Sequence, residues 1–216
     1  SRDMEGGVAE FPLYVWMTPT LAAMFFWGMG QGLVKKYIED VTPARFCLYY
    51  ILARSVVMGS FYFYSYFQGN VTPLFEPQAR DFVVYGFITY LLDGIGWILY
   101  YESIVSGPVT IVGTLSAAYP ALTVVMARVF LAEQVSSYQL IGVLLVIVSC
   151  IGLSIPPKGL MNERVKHGRW VPLAISALLI WSIAATLSKY AYMQEGSSEP
   201  NMSILAISGG MLTLAL

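Results

Sequence analysis

Charge is scarce in this sequence. Only 12% of its residues are Asp, Glu, Lys or Arg, about half the share of a water-soluble domain. The net charge is -1 and no basic patch interrupts the apolar text, which excludes nucleic acid as a partner. Histidine occurs once, at His167, and cysteine twice, at Cys47 and Cys150. No zinc spacing or disulfide framework can be built from them. Both cysteines lie in or beside apolar segments and read as small buried hydrophobes. Also missing are a nucleophile–base arrangement and a phosphate-cradling loop, and paired acids are scarce. Neither an enzyme nor a resident cofactor is expected. The opening, SRDMEGGVAE, is polar and acidic, unlike a secretory signal.

What the chain has instead is long uncharged text. Hydrophobic residues make up 57% of it. No charge falls within residues 11–34, 55–75, 103–127, 134–157, 170–188 or 200–216. A helix needs about 20 apolar residues to cross a bilayer. Backbone groups must be paired in lipid, so each run is a helix or part of a closed barrel. A barrel strand alternates in polarity over about ten residues, and these runs do not. The expected fold is an all-α polytopic membrane protein, embedded among membrane lipids. Seven spans are expected, at about 13–34, 44–67, 82–104, 107–131, 138–155, 170–192 and from 201 onward. The last is too short to cross comfortably, and the natural chain is expected to continue.

An internal repeat is visible at an offset of about 154 residues. Trp16 then aligns with Trp170, Trp27 with Trp181, Leu33 with Leu187 and Lys35 with Lys189. On this reading residues 1–160 form one five-helix repeat and 161–216 start a second. Five crossings are an odd number, so the second repeat is inverted with respect to the first.

Several local patterns carry a resemblance. They are Trp27 followed by the Thr42–Pro43 loop and Arg54, then Pro120, then Leu131 with Glu133, then Gln139, Leu140 and Gly142. Together these resemble the EamA-type domain of the drug/metabolite transporter superfamily over residues 13–155, with 170–216 starting a second such repeat. The resemblance implies a carrier of small organic solutes, ten helices in the full form, and a cavity between two halves. It also implies an N-terminus on the cytosolic side. The positive residues Lys35, Lys36, Arg45, Lys158, Arg164, Lys166 and Arg169 point the other way, with the N-terminus outside.

Asp93 is the most informative residue. It sits near the middle of span three, where a charge costs roughly 2.5–3.5 kcal/mol on insertion scales. It needs protein or water around it, and Arg54, near the middle of span two, is its expected partner. Such a pair can be a helix-to-helix tie, a contact for a zwitterionic solute or, through Asp93, a proton relay. Gly86, Tyr90, Asp93, Trp97 and Tyr101 fall on one helical side, as a cavity wall or as core. Tyr100 and Tyr101 also suit the membrane interface. In span one, Trp27 and Gln31 stand one turn apart as candidates for a pocket or an interhelical bond. In span four, Ser116, Tyr119, Pro120 and Thr123 are candidates. Pro120 leaves the Ser116 carbonyl without its helical donor, which can serve solute contact, a hinge or packing alone.

Glu133 reads as a structural residue at a helix junction, with Ser136 or Ser137 capping the next helix. Lys189 snorkels or reaches a cavity. The aromatic end of span two, SFYFYSYFQ, reads as an interfacial belt. Asn70 and Asn201 begin glycosylation-like triplets that read as chance. The first expectation for function is therefore a secondary carrier of small organic metabolites working by alternating access. The second is a non-transporting, transporter-like subunit of a larger membrane assembly. A bonded Arg54–Asp93 pair in a side-chain-filled centre favours the second; three further helices favour the first.

Overall fold

The computed structural model describes residues 13–37, 41–153 and 168–215. These residues form helices with short connections. They are α1 (Leu13–Tyr37), α2 (Pro43–Phe67), a 3-10 turn (Pro77–Ala79) leading into α3 (Arg80–Ser106), α4 (Val109–Ser116), α5 (Tyr119–Phe130), α6 (Ser137–Leu153), α7 (Trp170–Tyr192) and α8 (Glu199–Thr213). Among the described residues, four stretches are long and apolar enough to cross a membrane: α2, the 3-10 turn with α3, α4 with α5, and α7. The protein is a multi-pass integral membrane protein. α6 is a shorter apolar helix. His167, Lys158, Arg164 and Lys166, weighed in the sequence, lie outside the described residues, as does the side chain of Lys35.

The helix starts follow from their capping residues. Thr42 Oγ accepts from the Arg45 N–H and Pro43 opens α2, where the missing proline donor leaves nothing unpaired. Ser198 Oγ accepts from the Asn201 N–H at the start of α8, with Pro200 just inside. Before α6, Ser136 and Gln139 each bond the other's backbone, side chain to N–H in both directions. That reciprocal pair is a capping box, and it gives the Gln-Leu-x-Gly pattern of the sequence a physical reason.

The chain divides into two compact units, residues 1–37 and 38–216. The first contains α1. In the second, α3 is the central element, contacted by α2, α4, α7 and α8. Close contacts fix the directions of its neighbours. Arg54 meets Asp93, Tyr50 meets Trp97 and Phe46 meets Tyr101, so α2 is antiparallel to α3. Tyr190 meets Tyr85, and a Cβ added at Gly96 or Gly107 would strike Trp181 or Trp170. Hence α7 is antiparallel to α3, and its two tryptophans, 11 residues or about three turns apart, fill two glycine notches at the same spacing. On another side, Gly86 meets Leu205 and Gly94 meets Thr213, which makes α8 parallel to α3. Without a hydrophobic drive between helices in lipid, such small-residue notches are what permits close association.

The outer surface is apolar. Leu52, Val56, Val57, Leu144, Leu145, Val148 and Ile151 are exposed, as a surface facing acyl chains requires. At the end of α2, Phe63, Tyr64, Tyr66 and Phe67 are exposed while Ser65 is buried, which fits the expected belt. Cys47 is buried and Cys150 half-buried.

Tyr100 and Tyr101 pack inside the bundle; both are buried, because Trp181 covers Tyr100 and Phe46 covers Tyr101. One expectation needs correction. Span four is not one kinked helix. It breaks at Ala117 and Ala118, and Pro120 occupies the first turn of α5. There its missing donor costs nothing, so the chain resolves the proline by ending one helix and starting another. Asn201, in turn, is buried and donates its amide to the Thr72 carbonyl and hydroxyl, a tie between the α2–α3 loop and the first turn of α8.

Candidate functional site

Asp93 is the central residue of the 27-residue α3, and Arg54 lies one residue from the centre of the 25-residue α2. Antiparallel packing brings the two to equal depth, and the Arg54 Nη1 donates to Asp93 Oδ2 at 2.5 Å. Both side chains are largely covered, with 17% and 23% of their surface exposed. The guanidinium also lies over the Tyr90 ring, 4.9 Å from its centroid, a cation–π contact that strengthens as water is excluded. Each charge thus has a partner, which is what mid-membrane charge requires.

Next to the pair stands a cluster of rings. Trp97 packs on Tyr50 at 4.3 Å between centroids and on Trp181 at 5.0 Å. Tyr100 reaches Trp181 at 5.3 Å, Tyr101 reaches Trp97 at 5.4 Å, and Tyr119 reaches Trp181 at 5.8 Å. These separations are those of tilted and edge-to-face aromatic pairs. Trp181 also donates its indole N–H to the Asp93 backbone carbonyl at 3.2 Å. The cluster is therefore built by four elements, α2, α3, α5 and α7, around the level of the ion pair.

Of the ten sequence candidates, Arg54, Tyr90, Asp93, Trp97 and Tyr119 come together here. Thr123 is engaged within its own helix, donating to the Tyr119 carbonyl at 2.9 Å. Pro120 is exposed in the first turn of α5. Ser116 is buried at the end of α4, and its hydroxyl finds no partner among the described residues. Trp27 and Gln31 stand on α1, in the other unit. The sequence reading missed Trp181, Tyr50 and Ser182 as site residues. Ser182 spans its own Leu178 carbonyl at 2.7 Å and the Tyr119 carbonyl at 3.2 Å, and so ties α7 to α5. The repeat had already marked Trp181, by pairing it with Trp27, but only as an alignment position.

A second ion pair joins Lys189, in the last turn of α7, to Glu133 in the α5–α6 loop. The sequence treated these two residues separately; the fold brings them together.

Comparison with known proteins agrees with this architecture. The EamA-like transporter family matches residues 14–155. An uncharacterized protein of Methanocaldococcus jannaschii is 38% identical over 76 residues, covering 35% of this chain and 56% of that protein. The match thus spans little more than half the length of the curated relative. No solved structure matches. With most of its length matched, and with the helices, capping box and proline break in the places described, the chain belongs to the EamA-like transporter family.

Proposed function

We propose that the protein is a secondary carrier of small organic metabolites, with the Arg54–Asp93 pair and its ring cluster as the solute-contact region. The observation that carries this reading is a mid-depth ion pair closed on itself beside a wall of aromatic faces, within a family of transporters. A pair of this kind offers a guanidinium to a carboxylate or phosphate and a carboxylate to an ammonium. Bonded as they are, each satisfies the other. A zwitterionic solute that separates them replaces both bonds, so neither charge is left bare in low dielectric.

The inverted repeat belongs to the same proposal. α7 runs opposite to α3 and seats the two tryptophans that the repeat aligns with Trp16 and Trp27. That is the direction expected of a helix restarting the pattern after five crossings. Alternating access would then move the second repeat against the first, with the α3–α7 contact as the sliding surface. No enzymatic step or cofactor enters this reading. The solute and neighbouring membrane proteins are its partners.

A second reading has one specific observation in its favour. The Arg54–Asp93 bond is closed and rings fill the space beside it, as a transporter-like subunit without transport would also require. One experiment separates the two. The purified protein is reconstituted in vesicles and screened with amino acids, nucleotide sugars and phosphorylated sugars. The carrier reading expects uptake of at least one of these classes, lost on Asp93→Asn. No uptake of any class supports the subunit reading.

A further inference from the structure

We infer that Glu133 and Lys189 form an ionic latch that holds α5 against α7, with the break at Ala117–Ala118 as the pivot on which α5 swings when the latch opens. The gating role rests on the carrier reading; the latch and the pivot do not.

Three observations converge on it. First, α5 is a short lever. It runs only from Tyr119 to Phe130 and is separated from α4 by the turn at Ala117–Ala118. Pro120 keeps the two from fusing, since residue 120 has no N–H to give the Ser116 carbonyl. Second, polar contacts tie α5 to α7 at both ends, and buried Ala127 and Ala184 lie on the two helices between the ties. Near the pivot, Ser182 lies 3.2 Å from the Tyr119 carbonyl, and Tyr119 packs on Trp181. At the far end Glu133 pairs with Lys189. Between these ties lies a cleft of about 360 Å³, lined by Met126, Phe130, Ile183, Thr186, Leu187 and Tyr190 among others. The cleft opens to the outer surface, so on that side α5 has no packed neighbour to displace.

Third, the backbone aims the carboxylate. Ala132 has φ +53, in the left-handed region that L-residues with a Cβ avoid. The Glu133 N–H returns to the Ala127 carbonyl at 3.3 Å. A strained residue that sets the direction of its neighbour points to a required geometry. The pair is also suited to opening. Each side chain is about two-fifths exposed, and an exposed pair is worth little enough to break readily. A fully buried one would lock.

The test uses full-length protein in lipid vesicles with Cys47 and Cys150 replaced and spin labels at Val129→Cys and Met193→Cys. Both positions are exposed, one near the end of α5 and one just past α7. Pulsed dipolar distances then report the separation of the two helix ends. Glu133→Gln and Lys189→Gln should each raise the ratio of long to short distances, by up to about fivefold for an exposed pair. The charge-exchanged double variant, Glu133→Lys with Lys189→Glu, should restore the short distance. To keep the test independent of how the variants fold, the unaltered pair is also measured from low salt to about 1 M, where the screening length falls to about 3 Å; the long distance should grow. Distances indifferent to both single substitutions, or indifferent to salt, overturn the latch. Distances that respond in a protein with no measurable uptake overturn the carrier reading and leave the latch standing.

Discussion

At the scale of single residues, the strongest statement concerns Asp93. Its charge is tolerable at mid-depth because Arg54, Tyr90 and the rings around them replace water. Removing one partner should then be worse than removing both. Arg54→Leu alone leaves an uncompensated carboxylate, expected to cost about 3–5 kcal/mol, whereas Arg54→Leu with Asp93→Leu should recover most of that loss. Thermal unfolding of the purified variants in one detergent checks the order. Equal destabilisation by the single and the double change would show that the two sites act independently. Gly96 supplies a second residue-level test. A Cβ there would strike the Trp181 indole, and overpacking of this kind costs about 1–3 kcal/mol. Gly96→Ala should lower the unfolding temperature, while Gly142→Ala, where a Cβ meets nothing within 4 Å, should not.

At the scale of elements, the two halves of span four behave as separate helices because of one proline. Pro120→Ala supplies the N–H that the Ser116 carbonyl lacks, and α4 and α5 should join into one continuous helix. Hydrogen exchange at residues 117–121 should slow, by about tenfold if one bonded turn is gained, and labels on α5 and α7 should lose any long-distance population. Unchanged exchange would mean that packing rather than Pro120 sets the break. Much of this level was legible in the sequence. The uncharged runs gave the helices within a few residues, and of the two expected caps of α6, Ser136 or Ser137, the structure uses Ser136. Pairing Asp93 with Arg54 needed only the depth of each in its span and the antiparallel order of neighbours. What the sequence could not supply was lateral packing. Trp181 and Tyr50 meet Trp97 because α7 and α2 lie on particular sides of α3, and helical spacing within a segment carries no record of that choice. The Glu133–Lys189 pair was hidden for the same reason: 56 positions separate the two, and only the placement of α7 brings them together. Tyr100 and Tyr101, open to a cavity wall, core or interface reading in the sequence, are buried because α7 and α2 cover them.

At the scale of the whole molecule, α3 is the axis of residues 38–216. α2 brings it a cation, α8 packs along it through glycine contacts, and α7 lays two tryptophans into its notches. The element most central to packing is also the one that carries the buried acid, so a change in how α7 sits on α3 is felt at Asp93, whose backbone carbonyl accepts from Trp181. The proposed carrier would need such coupling between a moving contact and its polar centre. The most direct test is uptake of zwitterionic amino acids by vesicles holding equal amounts of the unaltered protein and of Asp93→Asn, with folding checked by unfolding temperature. The account predicts transport by the first and a fall of at least about tenfold in the second. Equal uptake by the two, with both folded, would contradict it.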